Sequence, residues 1–323
     1  MTLHPQAQTF VAWLREAQPP RWEELGVEKA RRGFAALVDS FGEGPRMQTV
    51  EDRLVEETTV DGQRLSVPVR LYRPAGLPVV APVIMFYHGG GWVLGDVESH
   101  DSTCRRLADA SGAVVVSVAY RLAPESPFPG PVQDCFVATK AIAKMAGELS
   151  LDAGRMAVMG DSAGGNLAAA VALLAKDDPN VLVKYAVLVY PVVTPTFDSG
   201  SYCKFESGFG LTKRTMQWFW ANYFGREAAD LFDVDACEVT DPLADLMKSD
   251  FRGFPPTHVL VAGYDVLRDE GLALADKMEA SGVRVTRENA SDMLHGFVHF
   301  AGRFETGVTT MRSLGKRIAN QLG

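Results

Sequence analysis

Ser162 ends an apolar run in Gly160-Asp161-Ser162-Ala163-Gly164-Gly165, and an alanine- and leucine-rich stretch follows it. A serine between strand and helix in a G-x-S-x-G pattern is held on a tight, strained turn, so its flanking residues must lack bulk. The helix that follows would point free amides and its positive dipole end at the group under attack. A serine hydroxyl is a weak nucleophile at neutral pH and needs a base. Of the six histidines, His4 falls in an amino-terminal helical region, His88 precedes a glycine run, His100 opens a helix and His258 starts an apolar strand. His299 falls within a helical pattern, where a surface or packing role is expected. His295, in a short loop after the last strand and followed by Gly296, is the expected base. Asp265, just past another apolar strand, is the expected orienting acid, and Asp269 and Glu270 read as acids of a helix start. The chemistry open to such a set is acyl transfer. The imidazole takes the serine proton and the carboxylate fixes its tautomer. Activity should therefore fall as acid protonates that imidazole.

A fourth element is the run His88-Gly89-Gly90-Gly91-Trp92, directly after a strand. Acyl transfer makes a tetrahedral oxyanion, and amides aimed at it in advance supply much of the rate. Consecutive glycines let backbone N–H groups crowd the substrate where side chains would obstruct. His88 itself is expected to hold this loop by hydrogen bonds rather than act as a base.

The elements that must position these residues are legible in outline. The 323 residues are 47% hydrophobic and 22% charged, the profile of a globular protein. The first ~45 residues carry apolar side chains at helical spacing, over 4–17 and 22–41. Residues 50–60 and 64–74 alternate like strands around Asp61-Gly62, a hairpin signal. Six short apolar runs follow, over 83–88, 113–120, 156–160, 184–190, 257–263 and 283–289. Buried parallel strands read this way. Helical sequences lie between them, over 102–111, 132–149, 166–176 and 270–282, which argues for a parallel sheet covered on both faces. From 194 to about 255 no strand is evident, and aromatic residues abound: a helical insertion at a strand end, where open α/β sheets build substrate sites.

A net charge of −8 argues against general affinity for nucleic acid or anionic membrane. No apolar run is long enough to span a bilayer, and the amino terminus lacks the pattern of a secretory signal. Cys104, Cys135, Cys203 and Cys237 are widely spaced, so reduced structural thiols, a cytoplasmic location and no metal site are expected.

Together these motifs resemble the hormone-sensitive-lipase-like carboxylesterases of the α/β-hydrolase superfamily, bacterial members of which carry HGGG and GDSAGG. The resemblance runs from about Val55 to the end and includes Tyr120 to Glu125, the stretch ending at Asp134, Leu188-Val189-Tyr190-Pro191, Arg268 to Gly271 and Met293 to Phe297. It implies an α/β-hydrolase fold: a mostly parallel eight-stranded sheet flanked by helices under a helical cap. Residues 1–48 and 194–255 would form the cap, and 49–193 with 256–323 the catalytic domain. The resemblance implies Ser162 as nucleophile, Asp265 as orienting acid and His295 as base, the chain order of this superfamily. Oxyanion donors would be amides of Gly89, Gly90 and Gly91, the last two foremost, together with Ala163. Val266 stands where a proline or leucine is common, which leaves the acid intact. Arg121 and Glu125 could pin the loop beneath the site, and Trp92, Phe209, Trp218 and Phe297 are candidate substrate contacts.

The expected function is cofactor-independent hydrolysis of short- to medium-chain acyl esters through an acyl-enzyme, with a small-molecule ester as partner. Family members often form homodimers, but no residue here establishes one. An amide or lactone could replace the ester with the same triad. A binding module that has lost catalysis is disfavoured by the complete Ser, Asp, His set, and a metallohydrolase by the lack of clustered ligands.

Overall fold

The computed structural model describes residues 2–60, 62–226 and 239–323; Asp61 of the expected hairpin turn and Cys237 lie outside them. The elements in chain order are α1 (Pro5–Ala17), α2 (Trp22–Leu25), α3 (Val27–Ala35), α4 (Val38–Phe41), β1 (Thr49–Thr58), β2 (Arg64–Arg73), β3 (Ala81–Tyr87), α5 (Asp101–Ser111), β4 (Val114–Val118), α6 (Gly130–Lys144), β5 (Leu151–Asp161), α7 (Ala163–Ala175), β6 (Val183–Val189), α8 (Gly200–Lys204), α9 (Lys213–Tyr223), β7 (Thr257–Tyr264), α10 (Arg268–Ala280), β8 (Val285–Leu294) and α11 (Glu305–Leu322). Among the described residues eight strands form one sheet in the order β1-β2-β4-β3-β5-β6-β7-β8. The β1–β2 and β2–β4 pairs are antiparallel and the remaining pairs parallel. Every expected strand is present.

Side chains alternate across a strand, so a strand buried on both faces feeds two cores. In β3, Val83 and Met85 join the core that contains Leu167 of α7 and Val137 of α6. Ile84 and Phe86 join the opposite core, with Leu107 of α5 and Leu314 of α11. The sheet is therefore a middle layer, with α6, α7 and α10 on one side and α5 and α11 on the other. No helix among the described residues is long and apolar enough to cross a membrane.

Three departures from the sequence reading have local causes. The single helix expected over 22–41 is three helices: Gly26 at φ +72°, outside helical geometry, parts α2 from α3, and a turn at Ala36 and Leu37 parts α3 from α4. β5 begins at Leu151 rather than near Met156, since an irregularity in its pairing with β3 carries the register from Ala81↔Leu151 to Val83↔Met156. His299 lies in a turn, and the helix after it starts only at Glu305.

Candidate active site

In a parallel sheet all carboxyl ends point to one rim. Here β3 ends at Tyr87, before the glycine run; β5 at Asp161, before Ser162; β7 at Tyr264, before Asp265; and β8 at Leu294, before His295. The register Tyr87↔Gly160 and Tyr264↔Leu294 sets these ends side by side. Ligand crevices of open α/β sheets form at this edge.

The turn that carries Ser162 is as cramped as its glycines imply. Ser162 adopts φ +57° and ψ −122°, a strained backbone for a residue with a Cβ. A Cβ on Gly160 would lie 2.1 Å from the Gly164 carbonyl oxygen, and one on Gly164 would lie 2.0 Å from that of Tyr87. The turn thus wedges against β3. The Ser162 amide donates to the Val189 carbonyl (2.8 Å), and the Ser162 carbonyl accepts from Gly165 and Val192.

Three side chains meet at this turn. His295 Nε2 lies 3.0 Å from Ser162 Oγ, and His295 Nδ1 lies 2.7 Å from Asp265 Oδ2. A carboxylate can only accept, so Nδ1 carries the proton and Nε2 is left to accept from the serine hydroxyl. Asp265 Oδ1 accepts from the Leu267 amide (3.0 Å), so both carboxylate oxygens are held. Ser162 is 8% exposed and the His295 side chain 12%, enough to meet a substrate without bulk water. Tyr190, with φ +34°, lays its ring against the imidazole at 4.6 Å. Sequence reasoning gave Tyr190 no role, although it too stands at a strand end on this rim.

The glycine run divides. The Gly89 amide donates to Asp161 Oδ1 (3.0 Å), so it is occupied, which removes Gly89 from the set of free donors. Among the described residues the Gly90 and Gly91 amides donate to no protein group. Ala163 is the first residue of α7, where a helix amide has no partner within the helix. The ring of Phe219 from α9 lies directly on Gly91, where a Cβ would be 2.1 Å from it.

The four aromatic candidates fare differently. Trp92 is fully buried and stacks on Tyr223 (3.9 Å, 3°), and Phe297 is fully buried beside Tyr190. Neither ring has surface to offer a substrate, which corrects the expectation for both. Phe209 is half-buried and packs on Phe205 and Tyr264. Trp218 is nearly buried beside Phe219. Phe219 belongs to the aromatic run 216–224 expected as a group to wall the pocket, and it could not be singled out because a ring in such a run carries no sign of what it faces.

Of the other candidates, Arg121 pairs with buried Asp134 (2.7 Å) and Glu125 with Arg31 of α3 (2.7 Å). The loop is therefore pinned to α6 and to the amino-terminal helices. Asp269 and Glu270 do lie in the first turn of α10. Asp269 also accepts from the Ser201 amide, and fully buried Glu270 accepts from the Val193 amide. Burial pushes the Glu270 carboxyl well above its ordinary range. Among the described residues no three His, Cys, Asp or Glu side chains are grouped to hold a metal ion.

A model of the alpha/beta hydrolase fold matches residues 84–299. Esterase LipI of Mycobacterium tuberculosis is 34% identical over 272 residues, 84% of this chain and 83% of that one. Ethyl acetate hydrolase of Pseudomonas putida is 34% identical over 287 residues, 87% and 86% of the two chains. The solved structure of an ester hydrolase from the Lake Arreo metagenome, complexed with a bipyridine phosphonate derivative, superposes with a TM-score of 0.89 at 32% identity over 99% of both chains. With its sheet order, its rim of strand ends and these relatives, the chain belongs to the α/β-hydrolase fold family, in its hormone-sensitive-lipase-like esterase group.

Proposed function

We propose that this protein is a serine carboxylesterase acting on uncharged esters of short to medium acyl chains through an acyl-enzyme. The observation that carries the reading is the pair of hydrogen bonds from one imidazole, 3.0 Å to Ser162 Oγ and 2.7 Å to Asp265 Oδ2. In this reading Ser162 Oγ attacks the ester carbonyl as His295 Nε2 takes its proton. The Gly90, Gly91 and Ala163 amides hold the oxyanion, and His295 returns the proton to the leaving alkoxide. Water activated by the same imidazole then releases the acid. Asp265 keeps the imidazole in the Nδ1–H form and stabilises its cation.

The cap belongs to the same proposal. Residues 1–48 and 194–255, of which Met1 and 227–238 lie outside the described residues, would form the cap, which is supported by the hydrogen bond from Thr215 of α9 to Glu23 of α2 (2.8 Å). Phe219, Trp218 and Phe209 would bound the acyl pocket, and the ring on Gly91 favours small acyl groups. A reducing, cytoplasmic setting is supported by free Cys104, Cys135 and Cys203. A homodimer through an outer strand of the sheet is part of the same proposal.

The test is hydrolysis of p-nitrophenyl esters graded from acetate to dodecanoate, run beside p-nitroacetanilide. Turnover should peak among the shorter esters and be far slower on the anilide. Ser162→Ala should lower kcat by at least about 10⁴-fold while the circular dichroism spectrum is unchanged. Retained turnover in that variant would remove Ser162 as nucleophile.

A further inference from the structure

The residue before Ser162 carries a carboxylate that the proton relay does not use. Asp161 ends β5, is 6% exposed, and sits where the surrounding strand is apolar. A buried carboxylate is costly unless it is partnered. Its Oδ1 accepts from the Gly89 amide at 3.0 Å and lies 3.6 Å from His100 Nε2, which α5 presents at its cap. The contact is close on both sides, since a Cβ on Gly89 would lie 2.5 Å from Asp161 Oδ2. Burial alone would raise this carboxyl, but the neighbouring His100, with His299 and His88 behind it, outweighs burial and brings it to about 2. It is an anion at any working pH.

We propose that Asp161 is a positioning residue for the oxyanion-binding amides, its carboxylate locking the glycine run against the turn that carries Ser162. The reason lies in peptide planarity. In a trans peptide the C=O and N–H point in opposite directions, so holding one aims the other. The plane joining His88 to Gly89 is held at both ends. Its carbonyl accepts from the Tyr120 hydroxyl (2.8 Å) and its N–H donates to Asp161. The next plane, joining Gly89 to Gly90, is held at its carbonyl by His88 Nδ1 (2.7 Å), which must carry the proton to do so. That contact turns the Gly90 N–H the other way. Asp161 therefore fixes the first plane, and the first plane sets where the second begins. Because Asp161 and Ser162 are neighbours in the chain, the same residue ties the distance between nucleophile and amides.

This inference rests on the esterase reading, so wild-type turnover of p-nitrophenyl acetate, lost in Ser162→Ala, is the first control. Absence of that turnover would be a failure of the reading and not of the Asp161 contacts. Two variants with the same branching at Cγ then separate hydrogen bonding from shape. Asp161→Asn keeps an acceptor for the Gly89 amide, whereas Asp161→Leu does not. Asp161→Leu should lower kcat about 10²-fold with KM within threefold, the order of loss for one oxyanion donor. Its affinity for an alkyl trifluoromethyl ketone, whose serine adduct carries the oxyanion, should weaken in parallel. Asp161→Asn should recover most of both. Should Asp161→Leu not fold, Gly89→Ala forces the same contact apart from the other side and should reproduce the parallel loss. A kcat within threefold of wild type in the folded variant, a loss without weaker ketone binding, or an Asn variant as impaired as Leu would each overturn the proposal.

Discussion

Two groups of histidine and aspartate lie within one wall of each other, and only one of them is built to move a proton. In the first, both nitrogens of His295 are committed, one to Asp265 and one to Ser162, and the imidazole keeps a little exposure. In the second, His100 stacks on His299 at 3.9 Å and 11°, His88 stacks on Tyr120 at 4.2 Å, and all three rings are sealed from solvent. Burial, with His100 adding, pushes His88 down to about 4, and burial pushes His299 well below the ordinary imidazole range. Both shifts favour the uncharged ring. The same side chain is a base where a hydroxyl and a carboxylate meet its two nitrogens at an accessible rim. Where the ring is sealed away from the rim, with hydroxyls at Nδ1 (Ser99 on His100, Thr103 on His299, Tyr120 on His88) and no path to a substrate, it is a packing plate and a hydrogen-bond tool.

Exchanging each histidine for alanine breaks the comparison most sharply. His295→Ala should lower kcat by at least about 10⁴-fold and leave the melting temperature within a few degrees. His299→Ala, four residues on, removes a ring packed on Phe41 at 4.2 Å and on His100. It should destabilise by about 2–4 kcal/mol, as large buried side chains do, with kcat of the folded protein within about tenfold. Kinetics and calorimetry on the pair check both halves. Equal effects on rate would deny the division of labour. Asp265→Asn comes next, at about 10⁴-fold in kcat, because an amide in that place lets His295 take the wrong tautomer. A pH–rate profile of the Asn variant with more of its activity recovered at high pH would sharpen the assignment.

What could be read beforehand follows from the same contrast. The meeting of Ser162, Asp265 and His295 was legible because each is a polar residue past the end of a strand, and parallel strands bring such ends to one rim. The sealed group was not. His100 and His299 are 199 residues apart by number, and nothing local marks them as a stack, so His299 read as part of a helix that begins only at Glu305. The aromatics failed similarly. Trp92 and Phe297 carry the composition of a pocket wall, but Tyr223 covers one and Tyr190 the other. Gly89 is indistinguishable in sequence from Gly90, and only the carboxylate of Asp161 sets it apart. Periodicity reports which face is buried, not what lies across from it.

The effect with no bearing on rate concerns stability in acid. A histidine whose folded pKa lies below its unfolded value of about 6.5 binds fewer protons in the native state than in the unfolded one. The stability it contributes is complete above about pH 6.5 and is lost as the pH falls toward 4, where His88 titrates. His88 alone accounts for about 3 kcal/mol across that window, and His299 adds in the same direction. Asp161, with its own depressed pKa, loses stability only lower, between its ordinary 3.8 and about 2. The melting temperature should therefore decline from pH 6.5 to 4, before that carboxylate is touched. His299→Phe keeps a ring between Phe41 and His100 but cannot be protonated, so its decline over the same window should be shallower than that of wild type. Identical slopes would mean that His299 takes up its proton in the folded protein as readily as in the unfolded chain, and the contrast with His295 would then rest on geometry alone.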